Sequence, residues 1–104
     1  MWVAPNMNIQ QACEAIKSMR RIELRYSGSV RVVEIHAAGY TQAQNPIMRA
    51  WQVRGGSSGG SSTGWKLLRI DEVESSIFLD ERSEAPRPGY RKGDPAMATI
   101  VCEV

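Results

Sequence analysis

The stretch GGSSGGSST, residues 55–63, contains only Gly, Ser and Thr and lies in the middle of a 104-residue chain. If it were a linker between domains, the remaining pieces, 1–54 and 64–104, would each be near or below the size that folds without disulfides or metals. Segments with the character of strands flank the stretch, and neither half has a core without the other. Because lengthening a loop costs only about 0.6 kcal/mol per doubling, we interpret the stretch as a long hairpin loop within one domain, 1–104.

The composition is typical of a soluble globular protein and does not indicate a specialised nucleic-acid binder. Apolar residues make up 42% and charged residues 23% of the chain, and the formal net charge is only +2. The basic residues are mostly Arg, which favours planar, bidentate contact with carboxylate or phosphate groups. No apolar run approaches membrane-spanning length, and the first residues lack the pattern of a secretion signal. We therefore expect a cytoplasmic protein with no membrane partner.

Side chains that could carry catalysis or bind a metal are few. Cys13 and Cys102 are far apart, and with no sign of export we expect both to be reduced, buried thiols. One His and two distant Cys do not make a zinc site, and no Ser stands in a nucleophile-elbow motif. Asp71 and Glu72 are adjacent, so on a strand they would point to opposite faces. We therefore expect no enzymatic activity, no metal and no cofactor.

One helix and five short strands are predicted. Asn6 or Asn8 can cap the helix, over about 8–20, because an Asn side chain accepts hydrogen bonds from free backbone N–H groups. The apolar residues of this segment recur at helical spacing. They are Ile9, Ala12, Cys13, Ile16 and Met19. Alternation of apolar and polar residues indicates half-buried strands. These strands are expected at about 22–26, 30–35, 47–54, 65–70 and 75–79.

The remaining segments connect or follow the strands. SGS at 27–29 predicts a tight turn that makes the first two strands a hairpin, and HAAGYTQAQNP at 36–46 is loop-like. The Pro- and Gly-rich 85–97 is expected to wrap the surface. The final ATIVCEV is either an added strand or a tether to another subunit. Together these expectations describe a mainly β fold, in which an N-terminal helix plugs one end of a small, bent or barrel-closed antiparallel sheet.

The order of several segments resembles the WYL domain, in particular the short stand-alone WYL-type proteins of bacteria and their phages. These segments, within about 9–97, are RRIELRY, RVVEIHAAGY, MRAWQVRGGSS, GWKLLRIDEV and RPGY. The most specific is LRIDEV, 68–73, which shares the Arg, the following aliphatic residue and the Asp of the family pattern. The chain departs from the pattern at Ile35, where many members have Pro. It departs again at WQV, 51–53, which stands in the place of the family's Trp-Tyr-Leu triplet.

The resemblance implies a helix followed by a five-stranded SH3/Sm-like small β-barrel, and a regulatory, ligand-sensing role without catalysis. Members commonly accompany the DNA-binding domains of bacterial transcription factors, and some accompany phage-defence or CRISPR systems. The resemblance also implies that a basic patch binds nucleic acid or a nucleotide-like ligand. The expected partners are therefore single-stranded RNA or DNA, a nucleotide-like ligand, or another regulatory or defence protein. Because three Trp and an apolar tail leave apolar surface to cover, we also expect a homodimer.

Arg49, Trp51 and Arg69 are the first candidates for a binding site. Arg49 and Trp51 share one face of the third predicted strand, and Arg69 lies on the next strand along the chain. Guanidinium groups bind phosphate bidentately, and an indole provides a surface on which a base stacks. The alternative is structural: Trp51 belongs to the core, and both arginines pair with carboxylates of the chain. The carboxylates considered for this pairing are Glu34, Asp71 and Glu72.

Arg31, His36 and Tyr40 resemble the polar wall of the family's ligand pocket and complete the predicted site. Each of them also has a structural alternative. Arg31 can be a solvated strand residue, His36 a hydrogen-bonded structural residue, and Tyr40 a core residue with a hydrated hydroxyl.

Two functions from different classes remain open. In the first, the domain binds single-stranded nucleic acid or a nucleotide-like effector through an arginine-rich patch. In the second, it is a module for protein–protein interaction or dimerisation, and its basic face is incidental. The positions of Arg31, Arg49 and Arg69 distinguish the two. Convergence on one solvent-facing patch favours the ligand, whereas arginines each bound to a carboxylate favour the interaction module.

Overall fold

The computed structural model describes residues 7–56 and 62–104 and shows a mainly β protein with one N-terminal helix. The helix α1 spans Ile9–Ser18. The strands are β1 (Arg20–Tyr26), β2 (Ser29–Tyr40), β3 (Pro46–Gly55), β4 (Gly64–Arg69), β5 (Val73–Arg82) and β6 (Thr99–Glu103), and a 3₁₀ turn at Ile70–Glu72 links β4 to β5. No helix in the described part of the chain is long and apolar enough to cross a membrane.

The ends of α1 follow from local chemistry. The Asn8 carboxamide oxygen accepts the backbone N–H of Gln11 at 2.9 Å, and the Gln11 side chain accepts the N–H of Asn8 at 2.8 Å. This reciprocal pair satisfies two backbone donors that the first helical turn leaves free. The helix ends at Met19, whose left-handed conformation (φ 56°) turns the chain directly into β1. Of the two predicted capping residues, Asn8 caps the helix, while Asn6 lies outside the described residues.

The six strands form an open antiparallel sheet in which β2 is the central element. The order is β4-β3-β2-β1-β5, and β6 also pairs with β2. One edge of β2 pairs with β3, while its other edge pairs first with β1 and then, over Ala37–Tyr40, with β6. The register with β3 shifts between Ile35 and Ala37, which places a bulge at His36. A bulge bends a strand, and here it accompanies the change of partner from β1 to β6.

The prediction of a loop beginning at residue 36 is wrong, because β2 continues to Tyr40. His36, Ala37, Ala38 and Gly39 are all buried between β3 and β6. Gly39 is required there, since a Cβ at that position would lie 2.1 Å from the carbonyl oxygen of Thr99. Small residues at this point let the backbone of β6 approach. The secondary-structure propensity of these residues does not indicate that contact.

The C-terminal segment is an added strand of this sheet. β6 pairs antiparallel with β2, and its two ends are fixed by backbone bonds from Ala98 N–H to Tyr40 and from Val104 N–H to His36, both 2.8 Å long. The sheet therefore has six strands where five were predicted. Among the described residues no pairing joins β4 to β5, so closure of a barrel stays a prediction.

Both faces of the sheet are covered. The main core lies between α1 and one face, and its largest buried side chains are Ile22, Leu24, Val33, Ile35, Met48, Leu68, Ile70 and Val73. A smaller cluster of Ala37, Ile47 and Met97 lies on the other face, where Tyr90 and Ala96 pack against it. The polar, turn-rich segment between β5 and β6 thus covers the second face.

The Gly/Ser stretch joins two paired strands. β3 and β4 pair from Ile47–Arg69 to Gln52–Gly64. The buried amide of Gln52 donates to the carbonyl oxygens of Gly56 at 2.8 Å and Ser62 at 2.9 Å, so one side chain binds both ends of the loop. Residues 57–61 of the stretch lie outside the described residues.

The prediction of reduced cysteines is wrong. Cys13 of α1 and Cys102 of β6 form a disulfide, with their Cα atoms 5.8 Å apart and 89 positions between them in sequence. The helix packs against β6, which brings the two cysteines together, whereas sequence distance alone suggested separation. Since disulfides persist mainly in oxidising compartments, the prediction of a cytoplasmic location loses its support from the cysteines.

Candidate functional site

The outer face of the β3–β4 hairpin carries three of the six predicted site residues. Arg49 lies directly opposite Leu67, and Trp51 lies directly opposite Trp65. Direct cross-strand partners share a face, and alternate residues along a strand share it too. Arg49, Trp51, Trp65, Leu67 and Arg69 therefore lie together on the face opposite the main core.

Arg49 is bound to a carboxylate from the segment that covers this face. Its Nε lies 2.6 Å from Asp94 Oδ2 and its Nη2 lies 3.1 Å from Asp94 Oδ1. Asp94 Oδ1 also accepts the backbone N–H of Ala96 at 2.9 Å. The hydrogen bonds from Arg49 hold the pKa of the buried Asp94 carboxyl below its usual value. Asp94 was not among the predicted partners, because it is 45 residues away in sequence.

Arg69 pairs with Asp71, one of the carboxylates predicted for it. Its Nε and Nη2 lie 3.0 and 2.6 Å from the two oxygens of Asp71. This hydrogen bonding lowers the pKa of Asp71 and raises the pKa of Arg69. Glu72 is a more distant neighbour at 3.9 Å. The guanidinium of Arg69 is therefore committed to a local, exposed pair.

Trp51 is half-buried and has neighbours on its ring. Trp65 packs against it edge-on, with the centroids 5.3 Å apart, and the guanidinium carbon of Arg87 lies 5.5 Å from the Trp51 centroid. A base that stacked on Trp51 would have to compete with this cation–π contact. The indole thus supports the local packing and is not an open platform.

Arg31 does not join the other arginines, which corrects the predicted pocket wall. It lies directly opposite Leu24, on the face of the main core, and its exposed fraction is only 3%. Its guanidinium carbon is 5.2 Å from the centroid of Tyr26, and its Nε is buried without a hydrogen-bond partner. The predicted patch of Arg31, Arg49 and Arg69 does not form.

His36 and Tyr40 also take structural positions. His36 is fully buried; its Nε2 accepts the backbone N–H of Arg87 at 3.0 Å, so its Nδ1 carries the proton and donates to the carbonyl oxygen of Glu34 at 2.9 Å. Burial is the main cause that lowers the pKa of His36. Tyr40 is half-buried at the end of β2, where its backbone pairs with β3 and β6.

Glu34 is the centre of a buried ion-pair network that the sequence did not reveal. Its fully buried carboxylate accepts from Arg87 Nε at 2.7 Å, from Arg21 Nε at 3.0 Å and from the backbone N–H of Glu84 at 2.9 Å. Burial alone would raise the pKa of Glu34, but these hydrogen bonds outweigh it and the pKa is lowered. Arg87 was expected at the surface, whereas it turns inward to this carboxylate.

A cleft of about 310 Å³ opens beside Arg49. It is lined by Arg49, Trp65, Gly89, Tyr90, Arg91, Asp94 and Pro95. The rings of Trp65 and Tyr90 are stacked, with centroids 6.3 Å apart and planes inclined by 28°. Gly89 has a φ of 93° and approaches Trp65 so closely that a Cβ would lie 3.2 Å from the indole nitrogen.

The sequence contained one usable signal for this cleft. RPGY is one of the segments that resemble the WYL family, and its Gly and Tyr are cleft residues. Trp65 and Asp94 were missed as site residues, because their proximity depends on the path of the chain after β5. In the described ranges no group of three or more His, Cys, Asp or Glu side chains is placed to hold a metal ion.

Comparison of the chain with protein-family models, with curated proteins and with solved structures gave no match. The geometry of the site is therefore the basis for the function proposed below.

Proposed function

We propose that this chain is a non-catalytic protein-interaction module. The proposal rests on the positions and binding partners of the three predicted arginines. Arg49 and Arg69 each bind a carboxylate of their own chain through two hydrogen bonds, and Arg31 is buried on the opposite face. At either site a carboxylate of the chain already occupies two of the guanidinium donors, and the three arginines share no patch on which a nucleic acid could lie.

The outer face of the β3–β4 hairpin has the composition of a contact surface. Leu67 stands in the middle of β4 with 44% of its surface exposed, between the half-buried Trp65 and the paired Arg69. Trp, Tyr and Arg are the residue types that dominate interface energetics, and they act best around a small apolar centre. The pairs Arg49–Asp94 and Arg69–Asp71 give this centre a polar rim whose hydrogen bonds are already satisfied.

We propose that the chain belongs with the WYL-type domains it resembles and that its sheet is an SH3/Sm-like arrangement. The strand order β4-β3-β2-β1-β5, with a 3₁₀ turn between β4 and β5, supports this arrangement. A regulatory or defence protein is then one class of partner. A second copy of the chain is the partner that can be tested directly.

Sedimentation velocity at micromolar concentration tests the contact surface. We expect the wild type to form a dimer and Leu67→Thr to weaken it at least tenfold. Ile77→Thr is the matched control, because Ile77 is 61% exposed on β5, at the other end of the strand order from β4. If the wild type remains monomeric, the proposal that the partner is a second copy of the chain is wrong. Equal effects of the two variants place the contact elsewhere.

Titration with a fluorescent single-stranded oligonucleotide tests the competing function. We expect the salt dependence of oligonucleotide binding to be the same for the wild type, Arg49→Ala and Arg69→Ala. If the wild type binds and each variant lowers the log–log salt slope by roughly 0.7, each arginine contacts a phosphate. That result would establish nucleic-acid binding and overturn the interaction proposal.

A nucleotide-like ligand in the cleft is the second candidate, favoured by the geometry of Arg49. Asp94 engages its Nε–H and one Nη2–H, and a guanidinium has three more N–H groups to donate. Arg91 is exposed at the same cleft, and the Trp65 and Tyr90 rings offer planar surface. An anion with a flat ring fits this combination of groups.

Adenosine monophosphate, followed by Trp fluorescence, is the probe for the cleft. If the cleft binds it, Tyr90→Ala should cost about 1–3 kcal/mol of binding free energy, as expected for loss of a stacking surface. Arg91→Ala should weaken binding and reduce its dependence on salt. Arg25→Ala is the control, because Arg25 is exposed on β1. Equal binding by all three variants would exclude the cleft.

A further inference from the structure

The Cys13–Cys102 bond lies close to the residues that hold the wall of the cleft. Immediately after Cys102, the Glu103 carboxylate accepts the backbone N–H of Gly93 at 3.1 Å. The C-terminal residue, Val104, then offers its carbonyl oxygen to the hydroxyl of Tyr90 at 3.3 Å. These two contacts attach the segment that forms the cleft to the end of β6.

Tyr90 is the side chain through which this attachment reaches the site. Its hydroxyl also lies 3.3 Å from the carbonyl oxygen of His36, and its ring packs against His36 at 5.1 Å and Trp65 at 6.3 Å. The position of the cleft wall therefore depends on where the backbone of residues 102–104 is held.

β6 is a short strand whose hold on the fold is limited. It has five residues and, in the described part of the chain, pairs along one edge only, with the second half of β2. Its cross-strand bonds are reinforced by one covalent link, from Cys102 to α1. Opening this link leaves the backbone pairing with β2 as the main restraint on the strand.

We propose that the Cys13–Cys102 bond is a redox-sensitive clasp that sets the mobility of β6 and, through Glu103 and Val104, of the cleft wall. In the oxidised protein the cleft wall is held. In the reduced protein β6 frays from β2, and Tyr90 loses its fixed acceptor at the C-terminus. The effect on binding rests on the proposed function, whereas the local loosening does not.

The geometry favours reduction by a small dithiol through Cys13. Cys13 lines an open groove of about 290 Å³ between α1 and β6. The groove is formed by Ile9, Gln10, Cys13, Glu14, Lys17 and Val101. A thiolate of the dithiol attacks Cys13 Sγ, and the Cys102 thiolate leaves and takes up a proton. The second thiol of the reductant then resolves the mixed disulfide, which frees the Cys13 thiol and leaves the dithiol as a cyclic disulfide. Two electrons pass from the dithiol to the protein.

Amide hydrogen exchange read residue by residue tests the clasp. The protein is compared before and after treatment with dithiothreitol, and the double variant Cys13→Ser/Cys102→Ser serves as a permanently open form. We expect exchange at Val104 and Ala98, whose amides bond to β2, to become at least tenfold faster. Exchange within the β1–β2 pairing, for example at Val32, is the internal control and should change much less.

Two results would overturn the proposal. If exchange at Val104 and Ala98 is unchanged, the bond does not restrain β6. If exchange becomes faster by the same factor at Val32, the disulfide only stabilises the whole fold. The exchange experiment needs no partner, so a failure of the dimer test leaves it valid. Where the wild type does dimerise, sedimentation with and without dithiothreitol should show weaker association of the reduced form.

Discussion

Glu34 is a charged residue whose burial the strand pattern does not reveal. It belongs to the predicted strand VRVVEI, and its carboxylate is fully buried. The cost of burying a carboxylate is offset by the two guanidinium groups and the backbone N–H that bond to it. Arg21 comes from β1 and Arg87 from the covering segment, so this residue connects the sheet to its cover.

Glu34→Gln should destabilise the protein by about 3 kcal/mol. The amide keeps the shape but removes the negative charge, which leaves Arg21 and Arg87 close together without their shared partner. We place the cost at the lower end of the range for a broken buried pair, because both guanidinium groups are partly exposed. Urea denaturation measures the change. Glu74→Gln, an exposed position on β5, is the control and should change stability by less than about 0.5 kcal/mol. Equal stability of the two variants would contradict the network.

His36 should titrate below its ordinary pKa of 6.5, because burial disfavours the imidazolium. Protonation would also remove the Nε2 lone pair that accepts the N–H of Arg87. With the folded pKa below the unfolded one, the unfolded chain binds the proton more readily. This contribution to stability is therefore present above pH 6.5 and is lost as the pH falls below it. The chain has one His, so the ring proton resonance gives the midpoint directly by NMR. A midpoint at or above 6.5 would show that the ring is not buried as described.

At the scale of the element, β2 is the part of the fold that local pattern describes least well. Its first half, VRVVEI, is rich in β-branched residues and was expected to be a strand ending at residue 35. Its second half, HAAGY, is small and weakly patterned, and it becomes a strand because β3 and β6 both pair with it. Strand formation there is a consequence of neighbours and not of intrinsic preference.

The Gly/Ser loop should tolerate shortening, provided that both bonds from Gln52 are kept. Replacing 57–61 with Asn-Gly retains Gly56 and Ser62, and we expect a melting temperature equal to or above that of the wild type. Replacing 56–62 removes both acceptors of the Gln52 amide and should cost about 1–2 kcal/mol more. Thermal denaturation followed by circular dichroism compares the two. Separately, limited proteolysis within the loop followed by reduction of the Cys13–Cys102 bond should not give two stably folded fragments; if it does, the chain has two domains.

At the scale of the whole molecule, the first and last elements of the described fold meet. α1 begins the described fold and β6 closes it, and both contact β2. The disulfide between them encloses most of the chain in one covalent loop, an arrangement that typically adds about 2–4 kcal/mol by restricting the unfolded state. The C-terminal segment is therefore a structural part of the domain.

Deleting 97–104 should destabilise the fold and not merely weaken a dimer. The deletion removes the disulfide and the buried Met97, whose loss alone costs about 2–5 kcal/mol, and it exposes the edge of β2. We expect a combined loss above about 4 kcal/mol, measured by thermal denaturation, together with aggregation through the freed edge. Val101→Thr is the control, because Val101 is 49% exposed, and it should be nearly neutral. A deletion that leaves the melting temperature unchanged would show that β6 is dispensable.

The features that the sequence determined by itself are those whose cause is local. The capping pair of Asn8 and Gln11, the periodicity of α1 and the alternation along β3 and β4 depend on residues a few positions apart. Alternation also placed Arg49 and Trp51 on one face of β3, because the side-chain period of a strand is two. The pairing of β3 with β4 then brings Arg69 to that face. The mainly β class with one leading helix follows from the same patterns.

Only the tertiary structure decided which groups meet. Asp94 binds Arg49, Arg87 turns inward to Glu34, and Cys102 reaches Cys13, and each of these contacts depends on how the chain runs after β5. Hydrophobic periodicity reports which face of an element is buried, but it carries no information on what covers that face. Pairing between residues 45 to 89 positions apart is set by the packing of the whole chain. The shared face of Arg49 and Trp51 was therefore predictable from the strand pattern, whereas the carboxylate that binds Arg49 was not.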